Sequence, residues 1–252
     1  MSIKRKIVAI GGGDIRRATT IAIDEEILRL SGKQHPRLLF IPTASSDSEG
    51  YWLGIDKYFR ETHRCRTDVL YLLNGNITFD TIKTKILSAD IIYVGGGNTL
   101  KMMRRWRRMN VDRLLRIAWK RGIVLCGISA GSICWFDSGH SDSMSFYRPK
   151  NWNYINVRGL GFVKGVHCPH YDGKTLGVLR TARFKQMMRK IGGIGIAVDN
   201  NCAIEFVDDT FRVIVSKPRA NAYRIYKTKG KLVSEKIPQK KEFLPIASLY
   251  KR

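Results

Sequence analysis

Residues 123–131 read Ile123-Val124-Leu125-Cys126-Gly127-Ile128-Ser129-Ala130-Gly131, and Ser132-Ile133-Cys134-Trp135-Phe136 follow. An apolar run that enters Gly-x-Ser-x-Gly and leaves as a helix-compatible run is the strand, turn and helix of a nucleophile elbow. The spacing has a steric cause. A serine at the tip of so sharp a turn has close neighbours, and glycines at 127 and 131 remove the side chains that would collide there. The turn also aims the first free N–H groups of the next helix, including that of Ala130, at the space before the Ser129 hydroxyl, where they can hold an oxyanion. The short string alone also fits an ordinary tight turn, so the strand before it and the helix after it carry the reading.

Upstream of this stretch, strands and helices alternate. Residues 6–10 form a strand that ends in Gly11-Gly12-Gly13, and an amphipathic stretch over 19–30 follows. Strand-like runs at 38–41, 68–73 and 91–94 alternate with helical spacing over 49–62 and 79–87, and the 91–94 run enters Gly95-Gly96-Gly97-Asn98. Such alternation predicts an α/β fold with a mostly parallel sheet flanked by helices. Ligands bind such sheets at the carboxyl ends of the strands. The loops at 11–14, 95–98 and 129 should therefore converge. Missing side chains at 95–97 let a backbone N–H, that of Gly97, approach a substrate carbonyl as the second oxyanion donor beside Ala130. Gly11 and Gly13 do not complete a dinucleotide fingerprint, because Arg16 stands at the third glycine position. No cofactor is expected.

Beyond the turn the alternation breaks. Residues 138–160 read as a long polar connection containing His140 and Asp142, and a strand over 162–166 leads into His167-Cys168-Pro169-His170-Tyr171-Asp172. Pro169 lies between the two histidines and no helix aligns them, so no metal site is expected. A histidine that takes the proton from Ser129 is the better use. His35 and His63 read as surface residues and His167 packs within its strand, whereas His170 lies just past a strand end. From about residue 210 antiparallel strands follow at 211–215, 222–226 and 232–233, then a basic tail. One domain spans 1–252, with a core over 4–207 and a peripheral β extension over 208–252.

Composition limits the classes. No apolar run nears the ~18 residues of a membrane span. Five cysteines without regular spacing suggest reduced thiols and a cytoplasmic protein. Lys and Arg number 45 against 21 Asp and Glu, a net charge of +24 that invites a nucleic-acid reading. Yet the clusters Lys101, Arg104, Arg105, Arg107, Arg108 and Arg113, Arg116, Lys120, Arg121 leave Leu100, Met103, Trp106, Leu114, Leu115 and Ala118 for a buried face. Two amphipathic helices with solvated basic sides account for them.

Taken together, Gly95-Gly96-Gly97-Asn98, Gly127-Ile128-Ser129-Ala130-Gly131, Ser141-Asp142-Ser143 and Cys168-Pro169-His170-Tyr171-Asp172 resemble the peptidase E (aspartyl dipeptidase) and cyanophycinase family of serine peptidases. The resemblance runs from Ile7 to about Phe206. It implies a fold similar to class I glutamine amidotransferases, flavodoxin-like, with the C-terminal antiparallel extension added. It also implies Ser129 as nucleophile, His170 as general base, Gly97 and Ala130 as oxyanion donors and Asn98 as a substrate contact. Asp142 is the first choice for third member of the triad and Glu205 the alternative. Ser132 departs from the small apolar residue often found after the elbow glycine. The implied reaction is hydrolysis of short peptides, such as dipeptides with an amino-terminal aspartate, through an acyl-enzyme and without metal or organic cofactor.

Two rival readings belong to other classes. An esterase of the α/β-hydrolase type shares the elbow but usually places its histidine near the end of the fold. A non-catalytic nucleic-acid-binding protein would use the basic helices over 101–121.

Overall fold

The computed structural model describes residues 3–73 and 76–251. Five short strands form the parallel half of the main sheet: β1 (Lys6–Ile10), β2 (Arg37–Ile41), β3 (Arg66–Val69), β4 (Ile91–Val94) and β5 (Val124–Ile128). Between and after them lie α1 (Ile21–Ser31), α2 (Glu49–Lys57, prolonged by a π turn over Tyr58–Thr62), α3 (Phe79–Ser88), α4 (Thr99–Arg108), α5 (Val111–Lys120) and the single turn α6 (Ala130–Ile133). The second half of the chain gives β6 (Phe136–Ser141), β7 (Ile155–Arg158), β8 (Val163–Cys168), the hairpin β9 (Lys174–Thr175) and β10 (Val178–Leu179), then α7 (Arg180–Ile191). It closes with β11 (Ile194–Val198), β12 (Cys202–Val207), β13 (Thr210–Val215), β14 (Ala222–Thr228), β15 (Lys231–Lys236), β16 (Leu244–Pro245) and α8 (Ala247–Tyr250).

The main sheet runs β16-β13-β12-β1-β5-β4-β2-β3, and a second sheet runs β15-β14-β11-β8-β6-β7. In the main sheet β3, β2, β4, β5 and β1 are mutually parallel, and β12, β13 and β16 are added antiparallel. This is a mixed α/β architecture with a central sheet flanked by helices. Its strand order is not the flavodoxin order: β2 to β5 follow the first four places, but the chain's first strand fills the fifth.

Strand β1 shows why the sheet needs two covers. Ile7 and Ala9 join one apolar cluster with Met102, Trp106, Leu115 and Phe136, while Val8 and Ile10 join another with Ile23, Ile27, Ile55 and Phe59. Alternate side chains of a strand point to opposite faces. So α1 and α2 cover one face, and α3 to α5 together with the second sheet bury the other.

The second sheet corrects several expectations. The stretch over 138–160 is not one connection, since β6 and β7 pair antiparallel within it. Its polar look comes from inward His140, Ser141 and Ser143, all buried. Helix α6 stops after one turn, where a longer run through Phe136 was expected. Residues 208–251 continue both sheets: β13 extends the main sheet and β14 pairs with β11 in the second. Helix α7 has no counterpart in the sequence reading. His63 is half-buried against Tyr58, with ring centroids 5.0 Å apart, and is not a surface residue. All five cysteines are buried and free. Among the described residues no helix is long and apolar enough to cross a membrane.

Candidate active site

Ser129 follows β5 and is the N-cap of α6, with φ 58° and ψ −114°. A non-glycine residue held at positive φ is strained, and such strain is sustained only where the surroundings over-determine it. Here they do. A Cβ on Gly127 would come within 2.4 Å of the Gly131 carbonyl oxygen, and one on Gly131 within 2.1 Å of the Val94 carbonyl oxygen. The turn closes only because both positions lack side chains.

His170 lies just after β8, also at positive φ (49°), and its backbone N–H donates to the Gly11 carbonyl at 3.0 Å. Ser129 and His170 line one cavity of about 410 Å³ together with Gly97, Asp142, Lys174 and Arg180. Among the described residues no hydrogen bond joins the Ser129 hydroxyl to the imidazole. Such contacts are often loose before substrate arrives.

The other side of the imidazole is fixed. His170 Nδ1 lies 2.6 Å from Asn200 Oδ1, and Asn200 Nδ2 donates to Asp172 Oδ1 at 2.8 Å. A carboxylate only accepts, so the amide must turn its NH₂ to Asp172 and its oxygen to His170. An amide oxygen also only accepts, so the proton sits on Nδ1 and Nε2 keeps its lone pair. Asp172 holds Asn200 a second time by accepting from its backbone N–H at 2.9 Å. Burial, followed by the nearby Arg180 charge, lowers the His170 pKa, so the ring is neutral near pH 7.

Asp142 and Glu205 do not occupy that position. Asp142 lines the cavity, but its Oδ2 accepts from the buried Arg180 and from Thr175 Oγ1 at 3.0 Å. It balances the charge of Arg180, whose guanidinium stands 5.3 Å over the Tyr154 ring. Glu205 is buried in the middle of β12 and ion-paired to Arg212 at 2.6 Å, a guanidinium it shares with Glu26. Asn98 is likewise committed: it is buried and caps α4, its Oδ1 accepting from Lys101 N at 3.0 Å. This favours a structural role over the substrate contact that the sequence suggests.

Gly97 sits at φ 133°, and a Cβ there would come within 2.3 Å of the Ala44 carbonyl oxygen. Among the described residues its N–H has no hydrogen-bond partner, and the N–H of Ala130 opens the first turn of α6, where no intrahelical partner exists. Gly12 has a use that the sequence did not disclose. A Cβ on it would lie 2.1 Å from Asn200 Oδ1 and 2.2 Å from His170 Nδ1, so this glycine makes room for the histidine and asparagine pair.

The remaining histidines are structural in geometry. His167 Nδ1 donates to the Ile196 carbonyl at 3.0 Å, and its Nε2 lies 2.8 Å from the Ser132 hydroxyl, which also lies 2.7 Å from the Ser129 carbonyl oxygen; burial pushes the His167 pKa down to about 3. The serine after the elbow glycine thus has a partner. His140 stacks on Tyr154 at 4.0 Å and is held at about 3 by burial, with the Arg180 charge adding to it. Among the described residues no group of three or more His, Cys, Asp or Glu side chains gathers to hold a metal ion.

The peptidase family S51 profile matches residues 7–214. The chain is 34% identical over 240 residues to the uncharacterized peptidase YgaJ of Bacillus subtilis, covering 94% of this chain and 98% of that one. It is 26% identical over 148 residues to peptidase E of Shewanella denitrificans, covering 58% and 60% respectively. Among solved structures, a peptidase from an acI-B1 Actinobacterium superposes with a TM-score of 0.70 at 18% identity, covering 95% of this chain and 96% of that one. The Ser129 turn, the cavity and every strand of the two sheets except β14, β15 and β16 lie within or at the edges of the matched segment, and the chain belongs to peptidase family S51.

Proposed function

We propose that the chain is a serine-type peptidase that hydrolyses short peptides, with Ser129 as nucleophile and His170 as general base. The observation that carries the reading is the fixed tautomer of His170. Its Nε2 lone pair is free for the Ser129 proton because Asn200, itself held by Asp172, accepts from Nδ1. In the proposed cycle the Ser129 oxygen bonds to the scissile carbonyl carbon as its proton passes to Nε2. The N–H groups of Gly97 and Ala130 take the negative charge on the carbonyl oxygen. The protonated imidazole then delivers that proton to the leaving amine, and water, deprotonated by the same Nε2, releases the acyl group.

Asn200 takes the place in this proposal that a carboxylate holds in the usual triad. It supplies the tautomer and orientation functions but no negative charge, so it stabilises the imidazolium less than aspartate does. Lys174, which no carboxylate pairs among the described residues, gives the cavity a free cation, which supports a substrate with a carboxylate near the scissile bond, as in dipeptides with an amino-terminal aspartate. The suggested kinship with class I glutamine amidotransferases rests on the strand-turn-helix that carries Ser129 and on the parallel β2 to β5.

A panel of dipeptides and tripeptides, Asp-Xaa members included, tests the proposal against wild type, Ser129→Ala and His170→Ala. Both variants are expected to lose roughly 10³-fold or more in kcat with circular dichroism unchanged. Cleavage by Ser129→Ala at the wild-type rate overturns it. Turnover of simple acyl esters with no peptide cleavage would favour the esterase reading instead.

A further inference from the structure

A second concavity lies apart from the one that holds Ser129. A cleft of about 730 Å³ opens between α5 and the turn that joins β7 to β8. Its walls carry Arg107, Arg113, Arg116, Lys120 and Arg158, against two carboxylates, Asp112 and Asp137. It lies at the wrong end of the second sheet to serve catalysis. The turn over 158–161 leads into the start of β8, while His170 follows its end, a strand length of about 20 Å away.

Two of the cations are fixed in place by groups that leave their charge uncompensated. Arg107 Nη2 donates to the carbonyls of Arg158 at 2.8 Å and Gly159 at 3.1 Å. Arg116 Nη2 donates to the Leu160 carbonyl at 2.7 Å, and its guanidinium stands 4.6 Å over Phe162, which in turn stacks on Trp119 at 4.8 Å. Each guanidinium has five N–H donors, so both keep donors to spare. Arg113, Lys120 and Arg158 have no carboxylate partner among the described residues. Some arginines elsewhere are paired, Arg29 with Glu26, Arg60 with Asp56, Arg212 with Glu205 and Arg224 with Glu235, but here five cations share one cleft with two carboxylates. Asp137 is turned to the opposite purpose, accepting from Gly165 N at 2.9 Å.

We propose that this cleft is a second binding site, for a small molecule carrying a chain of phosphates. Planar guanidinium forks match phosphate oxygens, and a diphosphate or triphosphate presents several negative charges in a compact length, as five cations round one cleft require. Separate carboxylates on a peptide do not. The volume is that of a small-molecule site rather than of an extended duplex surface. The site is independent of the peptidase reading and stands whether or not Ser129 is the nucleophile.

Isothermal calorimetry on the full chain tests it with inorganic tripolyphosphate, ATP and a short DNA duplex, at about 150 mM salt. Tripolyphosphate is expected to bind one to one, and Arg113→Ala/Lys120→Ala to weaken it roughly 10-fold or more, the loss of two charged hydrogen bonds. Arg158→Glu provides an independent variant with the same expected direction, and an unchanged melting temperature shows that each variant is folded. ATP binding tighter than tripolyphosphate assigns the source as a nucleotide; equal affinities assign the phosphate chain alone. Absence of binding overturns the proposal, as does an affinity that the variants leave unchanged. Duplex DNA that binds more tightly and resists displacement by tripolyphosphate also overturns it, in favour of a nucleic-acid surface.

Discussion

Asn200 has no charge to advertise it, yet it decides which imidazole nitrogen carries the proton. The carboxylates that the sequence offers as third member, Asp142 and Glu205, are both paired with arginines. Asn200→Ala removes the acceptor at Nδ1 and is expected to cost about 10²-fold or more in kcat with little change in KM. Asp172→Ala leaves the amide but frees its rotation, so a smaller loss of about tenfold is expected. Equal activity of wild type and Asn200→Ala would remove Asn200 from the mechanism. The pH profile gives a second check. Arg180 disfavours the imidazolium and thus helps to lower the His170 pKa. Neutralising it in Arg180→Gln raises that pKa, and releasing Asp142 raises it further. The acid limb of kcat/KM, which lies below the ordinary histidine value in wild type, is therefore expected to move to higher pH. A limb that stays in place or moves down would show that the Arg180 charge does not reach the ring.

At the scale of elements, glycine loops do two separate kinds of work, and substitution separates them. Gly131→Ala sets a Cβ 2.1 Å from the Val94 carbonyl oxygen, backbone that cannot yield, so the turn after β5 opens and stability falls. Gly12→Ala instead presses on the ends of Asn200 and His170, which can move. Its expected result is a near-normal melting temperature with kcat reduced at least as far as in Asn200→Ala. The pair of helices on the other face offers a pH test. Asp24 of α1 is fully buried, accepts from Thr20 at 2.8 Å and Tyr58 at 3.1 Å, and burial pushes its pKa up to about 7. A carboxyl raised above its unfolded value of 3.8 stabilises the fold most at low pH, and this contribution fades as pH rises from about 4 to 7. Relative to Asp24→Asn, wild type is thus expected to lose on the order of a few kcal/mol across that interval, read as diverging melting temperatures. Four strands of the parallel half were legible because their apolar runs end in turn residues, glycine after β1 and β4, the Ser129 turn after β5 and Pro42 after β2, whereas β3 (Arg66–Val69) begins and ends earlier than the expected 68–73. Strand β6 was not legible, since Phe136-Asp137-Ser138-Gly139-His140-Ser141 buries polar side chains that find partners only in the folded chain. Helix α7 escaped for the converse reason: five of its twelve residues are charged, and only Arg180, Phe184 and Met188 are buried.

For the whole molecule, the division into two sheets means that the proposed nucleophile and base come from different layers. Ser129 ends β5 in the main sheet, whereas His170 and Asn200 follow β8 and β11 in the second. Their separation is therefore set by how the layers pack. Phe136 is at that seam: on β6 it stacks on His167 of β8 at 4.4 Å, and it meets Phe206 of β12 edge-on at 6.1 Å. Truncating a buried phenylalanine costs about 3–5 kcal/mol, because the neighbours relax only in part around the cavity. If the seam sets the site, Phe136→Ala must do more than lower stability. At a temperature where it is still fully folded, kcat is expected to fall well below wild type, because a shift of about 1 Å between reacting groups costs on the order of 10²-fold. Ile27→Ala in α1 is the control. It is fully buried in the other apolar cluster, on the face of the main sheet opposite the second sheet, and costs about 2–5 kcal/mol. Its kcat is expected to stay near wild type wherever it is folded. Equal kcat losses in the two variants, or none in either, would mean that the loops after β5, β8 and β11 hold the site by their own contacts and that the packing of the layers does not set it.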